Sequence, residues 1–194
     1  MNRASIAFAL ALLTSVPALA HARDGFEIGL GLGAATGNFS IDSKEDEADV
    51  GAMFELQLGY VWQSGFGVGG GVSSTAFAYT IQVIEEFGGY DNELTLGFTT
   101  VELNALYFHP LSKNWELGLR AGVSKTKARF ELGDLESDKD STGVQAAIDA
   151  GYFLTDSFAL VFGFYYRTFG VAFSGVEDGK ELAAGGFELG VRWR

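Results

Sequence analysis

The stretch Phe54-Glu55-Leu56-Gln57-Leu58-Gly59-Tyr60-Val61-Trp62, followed by Gln63-Ser64-Gly65 and Phe66-Gly67-Val68-Gly69-Gly70-Gly71-Val72, decides the fold. Side chains alternate across a strand, so Phe54, Leu56, Leu58, Tyr60 and Trp62 share one face and Glu55, Gln57 and Gly59 the other. A three-residue polar turn containing glycine reverses the chain, and Phe66, Val68 and Val72 resume the alternation with small residues between them. This is one hairpin with an unbroken apolar face and aromatics on both sides of its turn. The rest of the chain repeats it.

Upstream, Met1-Asn2-Arg3 supplies a positive start, Ile6 to Leu13 an apolar run, and Pro17-Ala18-Leu19-Ala20-His21-Ala22 a small-residue exit. The pattern predicts a secretory signal peptide over residues 1–22, cleaved after Ala20 or Ala22, and leaves residues 23–194 as one domain. The net charge of −12 lacks the basic footprint of a nucleic-acid binder. No cysteine is present, so an exported fold must be held by its hydrogen-bond ladder and packing. With 17 Phe and 27 Gly against 2 Pro, the composition is that of an all-β chain packed by aromatics. No later apolar run is long enough for a spanning helix, so in a membrane only a closed barrel satisfies the backbone.

Eight strands fill the chain. The first carries Phe26, Ile28, Leu30 and Leu32 opposite Glu27, Gly29, Gly31 and Gly33. The third changes apolar parity from Val72 to Phe77, Tyr79, Ile81 and Val83, which predicts a bulge near Ser73 to Ala76. The fourth sets Val101, Leu103, Ala105 and Tyr107 against Glu102 and Asn104. The fifth sets Trp115, Leu117, Leu119, Ala121 and Val123 against Glu116, Gly118, Arg120 and Gly122. Val144 to Tyr152, Phe158 to Tyr166 and Phe187 to Trp193 repeat the pattern, with Asp149, Arg167, Glu188 and Arg192 on the polar face. Three short turns alternate with four polar, acidic loops: Asp42 to Asp49, Glu85 to Glu93, Glu131 to Asp140 and Ser174 to Lys180.

That alternation predicts an eight-stranded antiparallel up-and-down transmembrane β-barrel, with short turns on the periplasmic side and loops outside. Phe26, Tyr60, Trp62, Phe66, Tyr107, Trp115, Tyr152, Phe158 and Trp193 all fall at the short-turn end, as an interfacial aromatic belt requires. Phe39, Tyr79, Phe98, Phe130 and Phe173 are the candidate outer girdle. The alternative is a soluble lipocalin-like barrel with the apolar face inside around a small hydrophobic ligand. Against it, Glu27, Glu55, Glu102, Glu116, Arg120, Asp149, Arg167, Glu188 and Arg192 would then line the outside, and they suit an ion-paired lumen better.

Phe26 to Gly33, Leu58-Gly59-Tyr60 and the terminal Phe187-Glu188-Leu189-Gly190-Val191-Arg192-Trp193-Arg194 make the chain resemble the small outer-membrane barrels of the outer membrane protein A, X and W group and their outer-membrane β-barrel domain relatives. The resemblance implies a bacterial outer-membrane location, assembly by the barrel-assembly machinery, and lipid and lipopolysaccharide as surroundings. Members usually finish on an aromatic residue; here Trp193 is penultimate. Nothing follows the eighth strand, so no peptidoglycan-binding domain is expected.

Functional expectations concern the lumen, the loops and the outer rim. Charged inward residues pair and plug the interior, and the inward glycines either relieve curvature while Phe153 and Tyr165 fill the space or leave room for water in a narrow, cation-favouring channel. Lys125, Lys127 and Arg129 lie on the outward face just above the apolar band, where lipopolysaccharide phosphates sit. The acidic loops are a solvated surface or a site for an extracellular ligand. Asp138 to Gly143 imitates a calcium loop but no helices flank it, so no metal is assigned and no cofactor is expected. Barrel hydrolases place a histidine near the outer leaflet, whereas His109 lies beside Pro110 in a periplasmic turn; no catalytic residue is assigned.

Overall fold

The computed structural model describes residues 24–38, 50–83, 90–132, 135–169 and 183–194, with side chains described outside 38, 78–94 and 130–137. The strands are β1 (Gly25–Asn38), β2 (Val50–Val61), β3 (Phe66–Val83), β4 (Tyr90–Pro110), β5 (Trp115–Leu132), β6 (Leu135–Phe153), β7 (Phe158–Thr168) and β8 (Ala183–Trp193). Each pairs antiparallel with the next, and β8 pairs with β1 to close the barrel. The signal peptide and the first and fourth acidic loops lie outside the described residues.

Register fixes the barrel's shape. Following paired residues from Glu27 through Gly59, Gly69, Asn104, Gly122, Gln145, Arg167 and Ala184 returns to β1 at Gly37, ten residues along. Eight strands with that stagger tilt by about 40° from the axis, within the range closed barrels use. About ten tilted residues then cover roughly 25 Å of height, the thickness of an outer-membrane apolar band.

The alternation read from the hairpin holds around the circumference. Leu30, Leu58, Val68, Leu103, Val123, Ile148, Phe162 and Leu189 all face outward and exposed, whereas Glu55, Glu102, Arg120 and Glu188 are buried inside. A soluble barrel would have those faces exchanged. The turn is closed by Trp62 N donating to Phe66 O and Gly65 N donating to Trp62 O, both at 2.8 Å. Gly65 takes φ = 84°, which glycine adopts without a Cβ clash. At this end the aromatic belt forms as registered cross-strand pairs: Phe26 with Tyr60 (ring centroids 5.2 Å apart), Phe66 with Tyr107 (4.8 Å) and Trp115 with Tyr152 (5.0 Å). Phe158 faces Trp193 across the β7–β8 ladder, and Trp62 makes an edge contact with Tyr60.

Four expectations are corrected. No bulge interrupts β3, which pairs without a register shift with β2 up to Ala76 and with β4 up to Val83. Its parity change arises because Phe77 points into the barrel, where it is buried. Phe98 is not part of an outer girdle: it shares parity with Thr100 and Glu102 and is 2% exposed inside. Phe39 and Phe173, and the side chains of Tyr79 and Phe130, lie outside what is described. The third acidic segment is largely strand, since β5 runs to Leu132 and β6 starts at Leu135, and the end of the second is strand from Tyr90 on, while its residues 85–89 lie outside the described ones. His109 lies within β4, opposite Leu117, with its ring stacked on Tyr107.

Phe77 and Phe98 belong to an apolar layer inside the loop end, with Ala35, Met53, Leu96, Ala128, Tyr165, Phe169 and Ala184. Phe98 stacks on Phe169 at 4.3 Å and meets Phe77 edge-on at 6.0 Å. Truncating Phe98 to alanine therefore removes an interior ring. Phe98→Ala should cost about 3–5 kcal/mol in urea unfolding from detergent micelles, while Leu103→Ala on the lipid face should cost far less.

Candidate functional site

Between the loop-end apolar layer and a smaller cluster of Val61, Leu106 and Phe108 at the short-turn end, the interior is occupied by charge. Alternation places one or two charged residues of nearly every strand on the inner wall, and barrel closure turns them toward one another. Arg120 of β5 spans the lumen, donating from Nη1 to Glu55 of β2 and from Nη2 to Glu188 of β8, with Asp149 Oδ2 3.8 Å from its Nε. Arg167 donates from Nη2 to Glu102 Oε1 at 3.3 Å, from Nε to Gln145 Oε1 at 2.9 Å and from Nη1 to Ser73 Oγ. Arg192 meets Asp149 Oδ1 at 2.6 Å, Glu116 Oε1 at 3.3 Å and Glu27 Oε1 at 3.5 Å. All nine charged residues assigned to the lumen from the sequence are thus brought into one network.

A tenth member lies beyond the assigned set. Arg194 donates from Nη1 to Glu116 Oε2 at 2.9 Å and from Nε to Glu27 Oε2 at 3.1 Å, and its side chain is fully shielded. The signal was available: alternation through Arg192 and Trp193 turns residue 194 inward. Both Arg192 and Arg194 also lie over the Phe108 ring, 4.5 and 4.1 Å from its centroid. Amides and hydroxyls extend the network: Asn104 donates to Glu102 at 3.2 Å, Gln145 to Asn104 at 2.6 Å, and Thr100 and Thr126 bond at 2.9 Å. In total six carboxylates share four guanidinium groups.

The inward glycines serve these side chains. A Cβ on Gly118 would stand 2.4 Å from Asp149 Oδ1, its registered neighbour on β6, so glycine there admits the carboxylate. Phe153 and Tyr165 fill interior volume as expected. The voids left among the charges measure about 20 Å³, beside Gly29, Gly31, Gln57 and Glu188, and about 10 Å³, beside Glu102, Arg167 and Tyr165.

At the outer rim, Lys125, Lys127 and Arg129 face outward as expected; Asp140 and Asp138 lie opposite Lys127 and Arg129, and Thr142 opposite Lys125. Lys127 lies 2.6 Å from Asp138, Arg129 3.6 Å from Asp138 and Lys125 3.6 Å from Asp140. The acidic segment thus balances part of the basic strip. The hydrogen bond from the Lys127 ammonium holds the Asp138 carboxyl below the usual carboxylate range. Among the described residues no cluster of His, Cys, Asp or Glu has metal-ligand geometry.

A family model for the outer membrane protein beta-barrel domain matches residues 6–194. Among solved structures, the chain is similar to neisserial surface protein A, with a TM-score of 0.62 at 18% identity over 89% of this chain and 99% of that one. It is similar to a major outer membrane protein from Thermus thermophilus, with a TM-score of 0.54 at 17% identity over 88% and 99%. It is also similar to Ail, the attachment invasion locus protein of Yersinia pestis, solved with the heparin analogue sucrose octasulfate (TM-score 0.52, 16% identity, 87% and 97%). Comparison with curated proteins gives no match.

Two outcomes test the electrostatics. Arg120→Ala leaves Glu188 buried without its hydrogen-bonded cation and Glu55 with only Arg167, 3.9 Å away, and should destabilise the barrel by about 3–5 kcal/mol in denaturant unfolding. Asp138, whose folded carboxyl titrates below its unfolded value, contributes stability above the unfolded value and loses it as pH falls through the folded one. In an NMR titration, Lys127→Ala should raise the Asp138 midpoint toward that of a free aspartate.

Proposed function

Because the chain belongs to the outer membrane protein beta-barrel domain family, and is thus a β-barrel of the bacterial outer membrane, we propose that it is not an enzyme and that its lumen is closed by its own side chains. Its role is then structural, in envelope integrity, or adhesive, through the loop end. The observation that carries this reading is the bridging of opposite walls by Arg120 and Arg194, whose partners lie on β2, β8, β1 and β5. The voids of about 20 and 10 Å³ beside these residues accommodate at most a water each, not a hydrated ion path. The apolar layer at the loop end supports the same conclusion.

With the lumen closed, what the protein meets it meets on its outer surfaces. Lipid packs against the exposed apolar band, Lys125, Lys127 and Arg129 contact lipopolysaccharide phosphates, and the acidic loop segments offer a surface to an extracellular ligand. During biogenesis the strand ending in Trp193 engages the barrel-assembly machinery.

Purified protein reconstituted in planar bilayers should give no discrete conductance steps. Regular cation-selective steps would instead support the narrow-channel alternative, which the excess of two carboxylates in the lumen favours.

A further inference from the structure

The outward surface just beyond the apolar band is not uniform. Thr36 on β1, Ala52 on β2, Ser74 on β3, Thr99 on β4, Thr168 on β7 and Gly185 on β8 face outward there without charge. Among the described residues, only β5 and β6 place charges at this level: Lys125, Lys127 and Arg129 against Asp138 and Asp140. Among these described side chains, three cations face two carboxylates. The cationic side chains are 55–70% exposed, and ion pairs so exposed are weak enough to exchange their carboxylates for another anion.

Below this tier the same face is shallow. Val101, Leu103, Val123 and Val144 line a groove that Lys125 borders at its outer end. Ala121 and Ala146 continue the small-residue surface toward the short turns, while Phe164 and Tyr166 of β7 stand beside it, about half exposed. A trough of small apolar side chains headed by a cation matches an amphiphile with an anionic head and a saturated chain. The cations recur every second residue, so Lys125 to Arg129 spans about 13 Å along β5. That span suits a head group with more than one phosphate better than a diacylglycerol phospholipid with a single phosphate.

We propose that the β4–β6 face seats one lipopolysaccharide molecule, its phosphates on Lys125, Lys127 and Arg129 and an acyl chain in the trough beneath. The inference rests on the lipopolysaccharide contact proposed above and deepens it by assigning one face and a second, apolar half to the site. The phosphates take the places that Asp138 and Asp140 hold in its absence. The barrel thereby acquires a preferred orientation toward its lipid neighbours.

The test is native mass spectrometry of the full-length, refolded chain in detergent with a deep-rough lipopolysaccharide, each variant first checked for heat-modifiable gel mobility as evidence of a closed barrel. The wild type should carry one lipid per barrel. The triple variant Lys125→Ala, Lys127→Ala, Arg129→Ala should bind about tenfold more weakly or worse, as should a trough-filling Ala121→Trp, with Ala146→Trp as the second trough variant should the first not close. Ala34→Trp, on the opposite face, should bind as wild type does. Equal binding by the triple variant would overturn the site, as would an equal loss in Ala34→Trp. Equal occupancy by dipalmitoyl phosphatidylglycerol would overturn the choice of lipid. If the triple variant binds normally while both trough variants lose the lipid, the phosphate contact itself fails, whereas loss in the triple variant with binding retained by the trough variants overturns only the assigned groove.

Discussion

Inside hydrocarbon no water is available to an unpaired backbone N–H or C=O, so each must find a partner within the protein. The pairing of β8 with β1 meets that requirement where an open sheet would leave two edges, and the rest of the structure follows from closure. Closing eight strands with a stagger of ten sets the tilt, and at that tilt the 11-residue strands β7 and β8 are still long enough to cross the band. It also makes the interior narrow enough for side chains from opposite walls to touch.

That narrowness converts a polar face into a network. Arginine suits this space because its planar head presents several donors and bridges two or three carboxylates from different strands at once. Arg120 and Arg167 share Glu55, Arg120 and Arg192 share Asp149, and Arg192 and Arg194 share both Glu27 and Glu116, so four cations form one connected system. Buried charges of this kind do not add stability over a well-packed apolar core, but removing one partner leaves the others stranded in low dielectric. Closure fixes which strands face each other, and placing the charges inside keeps the outer surface free for lipid. The apolar layer at the loop end covers these charges on that side.

The outer surface is organised by a different balance. At the short-turn end, outward-facing aromatic residues pair in register across neighbouring strands. At the other end, the β5–β6 hairpin carries opposite charges in register, and exposure keeps those pairs weak. Strong pairing inside and exchangeable pairing outside arise from the same residue types in media of different polarity.

Much of this was legible from the residues. Period-two alternation is local, so the number of strands, the two faces, the row of aromatics at the short turns and nine of the ten members of the charge network follow from reading a few residues at a time. Arg194 obeyed the same rule one position further on. The parity change in β3 and the position of Phe98 were misread because aromatic residues were assigned to the membrane side; alternation alone would have turned both Phe77 and Phe98 inward. The strand extensions through the acidic segments were hidden because charged, turn-rich composition does not forbid a hairpin whose charges pair across it. What the sequence by itself determined is the face on which each residue lies. Only the tertiary structure decided which residues meet, because Arg120 and Glu55 are 65 positions apart, and Arg194 and Glu27 are 167 apart. Their contact depends on a stagger set by closure of the whole sheet, a quantity that no single strand contains.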